Sequence, residues 1–313
     1  MRINGFQGNG KFYKGNFHCH TTISDGKLSP EETVRVYASK GYDFMAITDH
    51  KIYNALTKIG DEPMLIIPGT ELDCQFKKQV GDMIIDATHH MVCLDPGKNF
   101  PGEPCAQGQR FQPVKVADST EAYRLMRDQL KDRRFVGIYC HPDWSRVELQ
   151  ELLPLEGLAA MEVFNSESNI CGDVGGTTTY WDSLLRRGSK ILAVASDDSH
   201  NLSTMGKGWI QVKAEELTQE SIMENFLKGN FYASTGPEIY DFYVEDNKLH
   251  VECSPCRKIH LVRFFRTGST AYDENGGLLT SATIPFNPED LKYIRVVCED
   301  AEGNRAWSNP IFF

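Results

Sequence analysis

The sequence predicts an α/β protein: a closed or nearly closed barrel of alternating strands and helices, followed by a small antiparallel β-sandwich. Three observations predict it. Short apolar runs alternate with amphipathic helical stretches as far as Gly236-Pro237. Those runs repeatedly end in His, Asp or Glu, the position where barrels of parallel strands gather their chemistry. Beyond Pro237 no convincing helix follows, only short β-like runs separated by turn residues such as Asp273-Glu274-Asn275-Gly276-Gly277.

The opening strand is read over Lys14 to His20, so that His18 and His20, two residues apart, project from one face. Asp25 follows five residues later, and two converging imidazoles with a carboxylate nearby suit a divalent cation. Ser29-Pro30-Glu31-Glu32 then starts a helix: Ser29 caps, Pro30 suits the first helical position, and Glu32 completes a capping box. The helix stops at Gly41, and Asp43 to Thr48 forms a buried strand ending in Asp49-His50. Met64 to Pro68 is the next strand, leading to Gly69-Thr70-Glu71, and Asp82 to Leu94 another, carrying His89 and His90. The Pro/Gly-rich stretch Asp95 to Val116 reads as a long loop of the kind that covers a site.

Ser119 to Arg133 is an amphipathic helix with Ala122, Leu125, Met126 and Leu130 on one face. The strands Phe135 to Cys140, Leu158 to Phe164 and Lys190 to Ala195 end in His141-Pro142, Asn165 and Ser196-Asp197-Asp198-Ser199-His200. Thr178 to Arg187 and Thr218 to Lys228 are helices, with a short strand at Gly208 to Val212. The sandwich is built from Ile239 to Val244, Leu249 to Cys253, Lys258 to Phe265, Thr280 to Pro285, Tyr293 to Cys298 and Ile311 to Phe313. With no long flexible linker, it is expected to pack against the barrel. The division is drawn as residues 1–236 and 237–313.

A chain of 313 residues with 41% apolar and 24% charged residues has the composition of a soluble globular protein. Its formal net charge of -10 argues against a nucleic-acid polymer as the main partner. Metal ions can still supply the local positive charge that an anionic substrate needs. Met1 to Lys14 has no apolar signal-like run and no stretch suits a membrane span, so no membrane partner is expected. Nine cysteines without a framework spacing fit reduced thiols and a cytoplasmic location. The Cys253 to Cys256 pair lacks a second pair nearby and is read as incidental.

Collected in order, the strand-end residues are His18, His20, Asp25, His50, Glu71, His90, His141, Asp198 and His200. Six imidazoles and three carboxylates at one end of separate strands exceed what packing asks for, because a structural buried histidine normally appears singly with one acceptor. These motifs, His18-x-His20, Asp25-Gly26, Thr48-Asp49-His50, Glu71, His90, His141-Pro142 and Asp198-x-His200, resemble in order those of the PHP (polymerase and histidinol phosphatase) metal-dependent phosphoesterases. The resemblance covers about residues 14 to 236. It implies a distorted (β/α)7 barrel with two or three divalent metal ions, commonly manganese, iron or zinc. Carried over, it groups His18, His20, Glu71 and Asp198 on one metal. Glu71 then bridges to a second held by His90 and His141, and Asp25, His50 and His200 hold a third. In the doublets His89-His90 and Asp197-Asp198, spacing favours His90 and Asp198. Ala233-Ser234-Thr235-Gly236-Pro237 and Ala306-Trp307-Ser308-Asn309-Pro310-Ile311 are similar to the tail of the CehA/McbA-like group, with Trp307 and Ile311 read as plugging the sandwich onto the barrel.

The implied activity is hydrolysis of a small phosphomonoester or short phosphodiester by a metal-bridged hydroxide, with positioning and electrostatics doing most of the work. Asp49 is a candidate to orient a ligand or handle a proton. Arg146 is the first candidate for a cationic clamp on a small phosphorylated substrate, and Lys207 the second. The same centre could instead hydrolyse a carboxylic ester, carbamate or amide. A non-catalytic metal-binding module would be expected to lack ligands, and none is lacking. His250 and His260 fall outside every motif.

Overall fold

A strand that ends in an imidazole needs a neighbouring strand that ends at the same level, and the pairing of this chain supplies it. The computed structural model describes residues 2–172, 174, 176–264, 268–287 and 292–313. It has a mixed α/β fold with many strands and few helices. A six-stranded sheet runs in the order Leu192–Ser196, Leu158–Asn165, Val136–Tyr139, Met83–Leu94, Gly69–Val80 and Val114–Val116. A ten-stranded sheet carries Leu65–Ile67, Phe44–Ala46, Lys11–Asn16, Trp209–Ala214 and Phe231–Ser234, and continues through Arg305–Ser308 and Tyr293–Glu299 to Lys258–Arg263.

Together they make a distorted barrel in which the two sheets meet without a continuous ladder. Beyond Leu192–Ser196 and Lys11–Asn16 a single parallel bridge joins Cys19 to Ser199, with the His20 N–H donating to the Ser199 carbonyl at 3.0 Å. At the other edge a parallel bridge joins His50 to Glu71. Thr48 N–H donates to the Cys19 carbonyl at 2.8 Å, and Glu71 N–H to that of Thr48 at 3.0 Å. The strand ends that carry the polar residues are thus fixed to one another by backbone hydrogen bonds.

The local signals act as expected at the first helix, Pro30–Ser39. Ser29 accepts from Glu32 N–H, Glu32 returns the bond, and the chain leaves through Gly41 at φ +75°. Two expectations fail. Met83–Leu94 pairs antiparallel with Gly69–Val80 over its whole length, so the sheet is not purely parallel. A two-residue turn through Gly81, at φ +58°, reverses the chain, where the alternating pattern was read as a parallel sheet. The histidine pair also lies beyond its strand, which ends at Asn16; His18 to His20 is an extended segment held by the Cys19 bridge.

The loop from Asp95 to Val116 does not roof the strand ends. It lies along Ile52 to Asn54 and beside Arg133-Arg134, through bridges Ile52–Arg110 and Glu103–Arg133, and its end pairs as a strand with Cys74 to Phe76.

The sandwich is built from a four-stranded sheet, Ile3–Asn4, Ile239–Glu245, Lys248–Cys256 and Leu279–Pro285, facing the far half of the ten-stranded sheet. Phe242, Leu249, Val251, Ile259, Leu261 and Ile294 fill the space between them. The expected strand end Phe265 lies outside the described residues. Trp307 packs into the barrel core and Ile311 into the sandwich core. Arg295, 3% exposed, grips Asp182 of helix Thr178–Arg186 with two bonds of 3.0 and 2.8 Å and lies over the Trp181 ring. No helix among the described residues is long and apolar enough to cross a membrane.

Candidate metal centre

All nine strand-end residues converge. In three overlapping groups, one donor atom from each residue lies within 4.8 Å of the others: His18, His20, Glu71 and Asp198; His50, Glu71 and His90; and His20, Asp25, His50 and His200. His141 joins them with Nε2 at 3.5 Å from both Glu71 Oε1 and Asp198 Oδ2. The first group has the membership the resemblance implied. In the second, His50 closes on Glu71 and His90, and His141 stands alongside; the third gains His20. His90 is the member of its doublet that faces the cluster. His89 turns away, with Nδ1 at 2.6 Å from the Tyr139 hydroxyl and Nε2 at 2.8 Å from Ser119 Oγ. Asp197 accepts from the Gly206, Lys207 and Gly208 N–H groups and from Tyr37, which leaves Asp198 for the cluster.

His18 and His200 are aimed by their outer nitrogens. His18 Nδ1 lies 2.7 Å from Glu162 Oε1, so it donates there and turns the Nε2 lone pair inward, 3.0 Å from Asp198 Oδ1 and 3.3 Å from Glu71 Oε1. His200 Nδ1 does the same against the Asp198 carbonyl at 2.9 Å, leaving Nε2 toward Asp25. Gly26 lets the loop of Asp25 return against the His20 backbone, since a Cβ there would meet the His20 carbonyl oxygen at 2.4 Å. Two of the nine, His141 at φ 24° and Asp198 at φ 49°, adopt left-handed backbone, which for non-glycine residues costs on the order of 1–3 kcal/mol. The turns are held in this conformation by the hydrogen bonds around them.

The electrostatics follow from burial and mutual contact. Burial pushes the Glu71 carboxyl up, but the His18, His90 and His50 imidazoles overturn this and hold it well below the carboxylate range. Burial pushes His20 down, yet the Asp198 and Glu71 carboxylates beside its Nε2 raise it to about 9. His50 goes the other way, to about 4, because burial outweighs the Glu71 charge. Four atoms of the cluster are buried without a hydrogen-bond partner: His20 Nδ1, His50 Nδ1, Glu71 Oε2 and Asp198 Oδ1. Converging imidazole and carboxylate atoms without hydrogen-bond partners fit a divalent cation.

A cavity of about 390 Å³ opens over the cluster, lined also by Lys27, Trp144, Glu167, Ser168, Cys171 and Asn201. Arg146 does not line it. The residue is exposed, at φ 59°, with its carbonyl capped by Lys78. Lys207 lines a different cavity, of about 710 Å³, with Trp307 and Arg305; helix Ser166–Gly172 separates the two. Asp49 accepts four bonds, from the N–H and hydroxyl of both Thr21 and Ser24. Three fall on Oδ1 and one on Oδ2, so Asp49 fixes the turn that carries Asp25.

The sequence reading missed Glu162, Asn165, Lys27 and Trp144. Glu162, 1% exposed, accepts from His18, Ser196, Asn165 and the His141 N–H, so one carboxylate positions two of the clustered histidines. Its signal was available: a single charge inside the apolar run Leu158 to Phe164. Replacing it with Gln keeps the volume but presents a neutral amide to His18 Nδ1. Metal affinity is expected to fall about 10- to 100-fold while the far-UV circular dichroism stays unchanged. Equal affinity by isothermal titration would leave Glu162 as a packing residue.

No family model matches the chain. Over 48 residues it is 48% identical to the DNA polymerase/3′-5′ exonuclease PolX of Bacillus subtilis, covering 14% of this chain and 8% of that protein. Over 87 residues it is 31% identical to the 5′-3′ exoribonuclease Rnm of Escherichia coli, covering 25% and 30%. The chain therefore matches less than a third of the length of either curated relative. Among solved structures it is similar to a two-domain protein of Bacteroides vulgatus described as containing a predicted PHP-like metal-dependent phosphoesterase. That likeness covers 98% of each chain at 14% identity, with a TM-score of 0.43. It is also similar to the lesion-specific endonuclease PfuEndoQ of Pyrococcus furiosus (11% identity, 68% and 55% covered, TM-score 0.40). A third is an amidohydrolase from Chromobacterium violaceum (13% identity, 69% and 96% covered, TM-score 0.40).

Proposed function

We propose that the chain is a PHP-type metal-dependent hydrolase of phosphoric esters, using two or three manganese, iron or zinc ions on a small phosphomonoester or short phosphodiester. The observation that carries it is the convergence of six imidazoles and three carboxylates with four buried atoms lacking hydrogen-bond partners. The local identities to two nucleases support the phosphoester class. Bound divalent ions supply Lewis acidity there, activating water at neutral pH and neutralising phosphate oxygens.

The residues do the rest. Glu162 and the Asp198 carbonyl hold the outer N–H groups of His18 and His200, so that the inward Nε2 is the nitrogen each ring offers to a cation once its proton is released. Lys27, rather than Arg146 or Lys207, stands at the cavity to meet a phosphate. Trp144, 45% exposed and edge-on to His90 and His141, offers an apolar wall to the leaving group. A volume near 390 Å³ suits a small substrate better than a polymer, and the acidic Asp25 and Glu167 beside it agree with the net charge. Residues 1–236 carry the chemistry and residues 237–313, CehA/McbA-like tail included, support it, in a cytoplasmic protein with no membrane partner.

The test is phosphate release from a panel of mono- and diesters by manganese-loaded protein, beside a His20→Ala control. Turnover on the panel that disappears in the control is the expected result. Hydrolysis of aryl esters or carbamates with no phosphate release would replace the proposal with acyl hydrolysis. No turnover on any panel by metal-replete protein would leave a binding module.

A further inference from the structure

Two cysteines three residues apart on a regular strand point to opposite faces, because side chains alternate. Cys253 and Cys256 do not. Along Lys248–Cys256 the register against Leu279–Pro285 shifts: Glu252 pairs with Ser281 and Cys256 with Leu279, so four steps on one strand match two on the other. Ser254 and Pro255 occupy the resulting bulge, where the missing proline N–H removes no ladder bond. The bulge turns Cys256 to the inner face beside Cys253. From the opposing sheet Cys298, paired with Ile259 and Ala306, projects into the same space.

All three sulfurs lie within 4.8 Å of one another, and the three residues are at most 1% exposed. Around them the sandwich core is apolar, with Ile239, Leu261 and Ala306 among its members, and among the described residues no imidazole or carboxylate joins the group.

We infer that Cys253, Cys256 and Cys298 form a second metal site, remote from the histidine–carboxylate centre, that takes one soft d10 cation, Cu(I), on three sulfurs. Thiolate sulfur selects soft ions, whereas zinc in a structural site completes a tetrahedron, and among the described residues no imidazole, carboxylate or further thiol supplies its fourth corner. The sulfurs that ligate release their protons, and loading accompanies folding or a local opening at the bulge. Three cysteines can also serve as small apolar residues, which is the reading to beat.

The experiment titrates Cu(I), without oxygen, into full-length Cys171→Ser protein against a chromophoric Cu(I) chelator; the substitution removes the one exposed thiol. One equivalent is expected to be withheld from the chelator, with a thiolate-to-copper charge-transfer band. That equivalent should survive the His18→Ala/His20→Ala double substitution and weaken at least ~100-fold in Cys256→Ser and Cys298→Ser. Equal uptake in the cysteine variants overturns the site. Should those variants fail to fold, X-ray absorption at the copper edge of the Cys171→Ser protein decides alone: three sulfur neighbours support it, nitrogen or oxygen neighbours overturn it. A parallel zinc titration is expected to be weaker, and tighter zinc would overturn the assignment to Cu(I).

Discussion

Glu71→Gln protein is expected to keep its fold, to hold fewer divalent ions than the parent, and to lose hydrolysis by at least ~1,000-fold. The reason is the number of rings around one carboxylate. Oε1 lies 2.8 Å from His90 Nδ1, 3.3 Å from His18 Nε2 and 3.5 Å from His141 Nε2. Oε2 lies 3.3 Å from His20 Nε2 and 3.1 Å from His50 Nδ1. No other carboxylate in the cluster touches five imidazoles, and Glu71 belongs to two of the three donor groups.

Gln at this position keeps the shape but replaces one acceptor oxygen by an amide that can only donate, and removes the charge shared between groups. Losing a single transition-state donor costs about 10²–10³ in turnover, and an outer partner of a metal ligand costs 10- to 100-fold in affinity. A central ligand should exceed both. Metal content by plasma mass spectrometry and initial rates on the best substrate of the panel read the result, with circular dichroism as the folding control. Full metal content with activity within tenfold of the parent would remove Glu71 from the centre of the mechanism.

What the chain spelled out and what it hid divide along a physical line. His18, His20, His50, His141, Asp198 and His200 were legible because each follows a short apolar run, and neighbouring strands in a barrel must end at a common level. His90 was legible as a residue but not in its setting. An apolar run does not encode strand direction, and Gly81-Asp82, flanked by Val80 and Met83, was the overlooked sign of a two-residue turn.

Arg146 and Lys207 lie off the cavity for a different reason. Arg146 and Lys207 follow candidate ligands in sequence, yet a loop residue's direction depends on backbone angles such as the φ of 59° at Arg146, which residue type does not specify. Lys27 and Trp144 reach the cavity through tertiary folding alone. Cys298 belongs to the same class. It is far from Cys253 and Cys256 in the chain, and only the packing of two sheets brings it to them.

The remaining large effect is in pH. In the metal-free protein His20 is raised to about 9, and His18, His141 and His200 are raised as well, burial being outweighed by Asp198, Glu71, Glu162 and Asp25. At pH 7 His20 and His18 carry protons, His141 and His200 hold theirs more firmly than a free imidazole, and His50, lowered to about 4, is neutral. An imidazole binds a cation only after giving up its proton, so loading at pH 7 must release protons and the apparent affinity must keep rising with pH up to about 9. Ordinary imidazoles would level off above 6.5.

Stability follows with the opposite slope. A histidine whose folded pKa is raised contributes stability that is complete below its unfolded value, near 6.5, and is lost as pH rises through about 9. Glu71 and Asp198, both held low, contribute stability present above their unfolded values and lost only as pH falls through the folded ones. Chelator-treated protein is therefore expected to unfold at lower urea as pH rises from 6.5 to 9. Protein in excess manganese should gain over the same window, because tighter binding to the folded state stabilises it by mass action. Two urea curves per pH, with and without metal, would measure the divergence, and titration calorimetry in buffers of different ionisation enthalpy would count the protons. Parallel curves, or loading at pH 7 without proton release, would mean that these rings are neutral in the free protein and that the carboxylates, not the imidazoles, set its charge.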